Sequence, residues 1–329
     1  MPEGFRFPPE WEPHEATWIG WPHNRTDWPG KIEPIHWVYG EIVRKLAPGE
    51  RVRILVNDAA HEARALRVLR AVGVDLARVD FFRIPTNRGW TRDSGPIFLK
   101  SELKSAKETA IIAFQFNAWA KYPDWKKDRQ VPRRAARALR KKLFEADFVF
   151  EGGAIDVNGQ GTLLTTEECL LDDKVQVRNP GLGRAGTERA LREHLGVRKI
   201  IWLGKGIAGD DTHGHVDDLC RFVNDKTVVL CQKERDENWE RLQGTGLEVV
   251  PLPMPAPLYF RGQRLPASYA NFYIANAAVI VPTFNDPSDR VALGTLAELI
   301  PDRPVVGIHA VDLVWGLGTL HCLTQQQPD

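Results

Sequence analysis

Short β-rich runs alternate with amphipathic helical stretches from end to end, with no Ser/Gly linker and no low-complexity block between them. This alternation constrains the fold more than any other feature, because interleaved helices and strands bury their apolar faces together as an α/β protein. Strand-like runs cover 51–56, 111–116, 199–203, 227–231, 247–252, 278–282 and 304–308, and helix-like runs cover 34–46, 59–71, 131–144, 187–195, 235–242 and 288–300. Within 59–71, Ala63, Leu66 and Leu69 alternate with Arg64, Arg67 and Arg70, the pattern of a one-sided helix. Thr187, Ala190, Leu191 and Leu195 read the same way, with Gly196 placed to stop the helix. A β-β-α-β rhythm recurs about every 60–70 residues, a period that suits a ring of repeated α/β units around an axis. Periodicity alone does not separate such a ring from an open α/β sheet. The absence of linkers favours one domain over residues 1–329.

Charge and composition narrow the function. The 44 basic and 43 acidic side chains leave a net charge of +1, which offers no electrostatic case for nucleic acid or an anionic membrane. Arg133, Arg137, Arg140 and Lys141 fall on one face of the predicted helix and Ala135, Leu139 and Leu143 on another, the pattern of a solvated amphipathic helix. No apolar run approaches the roughly 18 residues of a membrane span, and the charged, proline-rich opening is unlike a secretory signal. Four cysteines in 329 residues are not a disulfide framework, so a reducing cytoplasm is the expected location. Eleven tryptophans are the compositional oddity; Trp18, Trp21, Trp28 and Trp90 lie within two residues of Gly, Pro, Arg or Asp, where rings line a cation pocket as easily as they fill a core.

Four polar clusters carry chemistry. Cys322 follows Gly316, Gly318 and Thr319 and precedes Thr324-Gln325-Gln326-Gln327; the glycines suit close approach of a substrate to an accessible thiol. Cys169, Cys220 and Cys231 sit in apolar or strand-like settings and read as buried structural cysteines. His215 and Asp217, on a strand, would share one face and place a proton shuttle beside a carboxylate. The rival reading is a divalent metal held by Asp211, His213, His215 and Asp217. Asp93, in Trp90-Thr91-Arg92-Asp93-Ser94-Gly95-Pro96, is either a loop-end carboxylate beside a ring or the partner of Arg92 in an ordinary ion pair. Glu151 follows the strand-like run 147–150 and precedes Gly152-Gly153, which open space. Three separated acids, one imidazole and one thiol suit a guanidinium substrate: paired acids grip the planar cation and the thiol attacks its central carbon. A protein that binds guanidine without turnover is the remaining alternative.

These motifs, in order, resemble the agmatine deiminase and bacterial-type (Porphyromonas-type) peptidyl-arginine deiminase family. They are Trp90-x-Arg92-Asp93-x-Gly95-Pro96, Glu151-Gly152-Gly153, Gly214-His215-Val216-Asp217 and Gly316-x-Gly318-Thr319-Leu320-His321-Cys322. The opening Phe5-x-Phe7-Pro8-Pro9-Glu10-Trp11-x-Pro13-His14 and the segment Asn271-Phe272-Tyr273-Ile274-x-Asn276 extend the likeness over nearly the whole chain. The resemblance implies the pentein fold, a pseudo-five-fold α/β propeller of ββαβ units around a central active site. It implies cofactor-free, metal-free hydrolysis of a small guanidinium compound to a urea and ammonia, with agmatine giving N-carbamoylputrescine for polyamine synthesis. By the same resemblance Cys322 is the nucleophile, His215 the general acid–base, Asp93 and Asp217 the guanidinium clamps, and Glu151 the support of the histidine. Trp90, Asp211 and Gly318 line the substrate pocket. Asp210-Asp211-Thr212-His213 departs from the family's usual Asp-Glu-Thr-Asn/Asp, which keeps free and peptidyl arginine as alternative substrates. Homo-oligomerisation stays open. The acids facing Cys322 are expected to hold its thiol protonated until a cation arrives.

Overall fold

The computed structural model describes residues 4–102, 108–231 and 237–329. Most of its strands fall into five repeats of one pattern: an antiparallel pair, a crossover helix, then a third strand parallel to the second. The first joins Ile97–Ser101, Thr109–Gln115 and Lys142–Val149 through the helix Val131–Leu139. The second joins Asp156–Val157, Thr162–Thr166 and Lys199–Leu203 through Gly183–Leu195. The third joins Cys220–Phe222, Thr227–Leu230 and Glu248–Pro251 through Glu237–Leu242, and the fourth joins Tyr273–Ile274, Val279–Thr283 and Val305–His309 through Ser288–Leu299. The fifth is completed by both ends of the chain. Thr324–Pro328 pairs antiparallel with His14–Gly20, which runs parallel to Arg51–Leu55 after the helix Ile32–Leu46. The ends therefore close a ring, and the sheets are separate rather than one open α/β sheet.

Local chemistry accounts for most element ends. The Asp58 side chain accepts from the His61 N–H at 2.8 Å and starts the helix Ala59–Ala71. That helix buries His61, Ala65 and Leu69, whereas Ala63, expected on the apolar side, is exposed. The helix Gly183–Leu195 stops at Gly196, left-handed as expected, with φ 67°. The predicted helix over 131–144 needs correction: it ends at Leu139, Arg140 turns left-handed at φ 54°, and Leu143 and Phe144 lie on the strand Lys142–Val149. The start of the predicted helix 235–242 lies outside the described residues.

Apolar cores lie between helices and sheets. The largest joins the chain's two ends, packing Ile19, Trp28, Ile42 and Val52 with Ile280, Leu296 and Leu320; each such side chain stabilises the fold by about 1.5–3 kcal/mol. Trp18, Trp21 and Trp28 are fully buried core residues, so of the four tryptophans singled out only Trp90 faces a cavity. Where the five units meet, the packing turns polar. Glu10 receives bonds from Arg92 (3.0 Å) and Arg221 (2.9 Å) and meets His321 Nε2 at 2.9 Å, and Arg221 also bonds Asp156 at 3.0 Å. Buried ions are tolerated when paired in this way. No helix among the described residues is long and apolar enough to cross a membrane.

Candidate active site

Each candidate side chain leaves the end of an element and points to the ring's centre. Asp93 sits in the four-residue helix Thr91–Ser94, and Glu151 follows the strand Lys142–Val149 and leads into a 3₁₀ turn at Gly152–Ala154. His215 precedes the 3₁₀ turn Val216–Asp218, not a strand as predicted. The tight turn still brings His215 Nδ1 to 3.9 Å from Asp217 Oδ1 and 3.8 Å from Asp93 Oδ1, while Nε2 faces Glu151 at 3.4 Å. Cys322 lies in the short helix Leu320–Leu323, with Sγ 3.7 Å from Asp217 Oδ2. The five predicted groups therefore converge, and all are buried.

The expected setting of the thiol needs correction. Thr324-Gln325-Gln326-Gln327 is no solvated tail but a buried strand: Gln326 accepts from Arg92 at 2.7 Å and Gln327 from Trp18 at 2.9 Å. Cys322 is only 5% exposed and opens to a narrow pocket lined by Arg88, Trp90, Asp93, Trp119, Tyr122 and Asp211. Gly318 lines the approach, since a Cβ there would lie 2.9 Å from the Trp90 ring and 3.1 Å from Sγ. Arg92 pairs with Glu10, which leaves Asp93 free of the ordinary ion pair weighed above.

The surroundings set the charges. Asp93 accepts from the Gly153 N–H at 3.0 Å and from Trp119 Nε1 at 2.9 Å. Burial nevertheless pushes its carboxyl up to about 6, with Asp217 and Glu151 adding to the shift against His215. Burial would also raise Glu151, but the Arg178 guanidinium, 3.2 Å away, holds it below the usual range. For Asp217 burial is outweighed by His321, whose Nδ1 lies 2.7 Å from Oδ2. Burial alone would lower the His215 imidazole, yet Asp93, Cys169 and Glu151 raise it well above its ordinary value. Burial drives the Cys322 thiol well up, and the Asp217 and Asp93 carboxylates push it further. The set is an imidazolium and a neutral thiol around a cleft of acids, ready for a cation.

The residues of the metal reading do not converge. His213 turns to Asp172 (2.9 Å), Asp211 bonds Lys121 and Tyr122, and Asp217 engages His321. Two other triplets, Glu151 with Cys169 and His215 and Asp217 with Asp218 and Cys322, hold possible ligand atoms within 4.8 Å of one another. In the first, Glu151 already carries the Arg178 guanidinium. Cys169 is thus buried as expected but lies beside the imidazole rather than in a purely structural place.

Sequence reading missed several contributors. Asn271 Nδ2 donates to Cys322 Sγ at 3.1 Å, while Trp119, Arg178 and His321 hold Asp93, Glu151 and Asp217, with Glu10 against the far nitrogen of His321. Asn271, His321 and Glu10 lie inside the motifs that carried the resemblance, which is the signal that could have found them. Trp119 and Arg178 had none.

The five-unit ring and its hub of thiol, imidazole and acids define a pentein-fold chain with a site built for guanidinium chemistry. The chain belongs to the Porphyromonas-type peptidyl-arginine deiminase family, whose model matches residues 6–328. An agmatine deiminase of Pseudomonas aeruginosa (strain LESB58) is 34% identical over 365 residues, covering 99% of this chain and 96% of the relative. A cysteine-to-serine agmatine deiminase of C. jejuni, solved with substrate bound, is 31% identical at a TM-score of 0.88, covering 99% and 96% of the two chains. A putative arginine deiminase of Porphyromonas gingivalis is 37% identical at a TM-score of 0.85, covering 99% and 98%.

Proposed function

We propose that this chain, acting as one catalytic domain, is an agmatine deiminase that hydrolyses agmatine to N-carbamoylputrescine and ammonia. The observation that carries the reading is the buried ring of Asp93, Glu151, His215 and Asp217 around Cys322 Sγ, supported by the agmatine deiminases to which the chain is similar. Asp93 and Asp217 clamp the guanidinium, and its permanent charge offsets theirs so that Cys322 loses its proton to solvent. The thiolate attacks the central carbon. The tetrahedral adduct collapses, the C–N bond breaks, and the departing ammonia takes its proton from the His215 imidazolium, leaving a Cys322 amidino intermediate. His215, now neutral and steadied by Glu151, accepts a proton from water as the water attacks the same carbon. The S–C bond then breaks as the adduct's hydroxyl gives up its proton to solvent and becomes the carbonyl, returning the Cys322 thiolate and releasing the neutral urea. No metal or cofactor enters these steps. Trp90 and Gly318 shape the channel for the aliphatic chain, and Asp211 at the mouth faces the tail ammonium. Four free thiols fit a cytoplasmic site of action.

Arg88 and Lys121 near the mouth favour a second reading, because cations there would pair with the carboxylate of free or peptidyl arginine. Ammonia release compared on agmatine, arginine and a blocked arginine peptide decides between them. Agmatine is expected to give the highest kcat/KM, preference for either arginine substrate transfers the assignment, and no release from any of the three overturns it. Cys322→Ala is expected to abolish turnover and keep substrate binding.

A further inference from the structure

Asp218 has no part in the steps above, yet it lies at the centre of the molecule. It is 1% exposed, adjoins Asp217, and brings a carboxylate oxygen within 4.8 Å of Cys322 Sγ. Its side-chain partner is Asn271, whose Nδ2 donates to Asp218 Oδ1 at 2.9 Å and also to Cys322 Sγ at 3.1 Å. A carboxamide nitrogen has two hydrogens, so both are engaged, one by the acid and one by the sulfur. The Asn271 oxygen is held by Thr319 Oγ1 at 2.8 Å and by the His321 N–H at 3.0 Å. Donors on one end and acceptors on the other leave the carboxamide a single satisfied orientation.

We propose that Asp218 is a positioning residue, anchoring the Asn271 carboxamide so that one N–H is aimed at Cys322 Sγ throughout the thiolate step. An N–H pointed at sulfur stabilises the thiolate over the thiol, and a hydrogen bond to an ionised partner is stronger than one to a neutral partner. The acid does this without adding a third full charge beside the nucleophile. Burial raises the Asp218 carboxyl well above its ordinary value, and Asp217 and Asp210 add to the shift, so the group is a neutral acid that still presents a carbonyl acceptor. Asp217 and Asp218, neighbours in sequence, thus divide the work: one stays ionised to face the substrate and the other stays neutral to orient an amide.

The role in turnover rests on the proposed guanidine hydrolysis, but the effect on sulfur is readable without it. The test compares Asp218→Ala, Asp218→Asn, Asn271→Ala and the Asp218→Ala/Asn271→Ala double variant. Each is assayed for kcat and KM on agmatine and for the rate of Cys322 alkylation by 2-chloroacetamidine, with the modified peptide identified by mass. Asp218→Ala is expected to lower kcat and the alkylation rate by roughly 10- to 100-fold with KM little changed, the effect of losing a hydrogen bond to a charged group. Asp218→Asn keeps a carbonyl acceptor and is expected to recover both to within about threefold. The double variant is expected to be no worse than Asn271→Ala, because the two act as one unit. Wild-type rates in Asp218→Ala, additive losses in the double variant, or an Asp218→Asn as impaired as Asp218→Ala each overturn the proposal. If Asp218→Ala does not fold, Asp218→Ser, too short to reach Nδ2, takes its place. A wild type that alkylates but does not hydrolyse agmatine refutes the substrate reading, while the alkylation series still decides the role of Asp218.

Discussion

A methyl group on Gly153 would lie 2.6 Å from His215 Nδ1, 2.9 Å from Asp93 Oδ1 and 3.0 Å from Asp217 Oδ2. A carbon does not fit there, but the N–H groups of a planar cation reach carboxylate oxygens such as those of Asp93 and Asp217 at 2.7–3.2 Å. Gly153→Ala is therefore expected to lower kcat/KM on guanidine substrates by at least about 100-fold, since a misplacement of about 1 Å is enough for such a loss. Steady-state kinetics beside a circular-dichroism melt checks this; a folded variant with near-normal kcat/KM would place the substrate elsewhere. On the proposed clamp, Asp93 sets the pH dependence. Its carboxyl titrates at about 6 and must be ionised to hold a cation, so kcat/KM is expected to climb as pH rises through about 6. A profile flat down to pH 4 would remove Asp93 from the clamp. Cys322, His215, Asp217, Glu151 and Asp93 were legible because glycines and short polar motifs mark them locally. Asn271 lies in a segment that carried the resemblance, but nothing local marks its role, which appears only when folding sets it 3.1 Å from a sulfur 51 positions away.

At the scale of elements, the segment Ala118–Ala120 carries the most unusual backbone. Ala118, Trp119 and Ala120 have φ of 51°, 58° and 52°, three successive left-handed residues without a glycine, a conformation that surrounding structure must impose. The turn aims Trp119 at Asp93 and sends Lys121 and Tyr122 to Asp211, with Tyr122 Oη 2.6 Å from Oδ2. The Lys121 ammonium occupies Asp211, the acid proposed above to face a substrate's tail ammonium. Lys121→Gln is expected to lower KM for agmatine by roughly 2- to 5-fold, the scale of a partly exposed ion pair, and to leave KM for butylguanidine unchanged. Equal effects on both compounds would show that Lys121 does not compete with the tail. Element types were largely readable from periodicity, as in Ala59–Ala71, whose bounds match the expectation. The misread end of the helix predicted over 131–144 has a local cause. Arg140 ends a helix in a conformation usually left to glycine, and left-handed geometry on an ordinary side chain leaves no mark in the sequence.

Across the whole molecule, the β-β-α-β rhythm could not distinguish a ring from an open sheet, because the deciding contact joins the two ends of the chain: Thr324–Pro328 lies against His14–Gly20. The hub that locks this closure is a single carboxylate. Glu10 accepts from Arg92 before the first unit, from Arg221 in the third and from the Ile274 N–H in the fourth, and it meets His321 beside the closing strand; Arg221 reaches Asp156 in the second. Burial opposes ionisation of Glu10, but Arg221, His321 and Arg92 outweigh it and hold the carboxyl well below 4.5. A depressed acid contributes stability that is present above its unfolded value and lost as pH falls through the folded one. Wild-type stability is therefore expected to hold above about pH 4.5 and to decline below it. Glu10→Gln turns an N–H₂ toward donors already crowded there, and breaking a buried ion network in this way costs about 3–5 kcal/mol. Denaturant unfolding at pH 7 is expected to show that loss, and the gap to wild type should narrow as pH falls below about 4.5, where the unfolded wild-type carboxyl takes up a proton that the native one, held ionised by its partners, does not. A gap that stays constant from pH 7 to pH 3 would mean that Glu10 acts through packing alone, and that its charge does not join the five units.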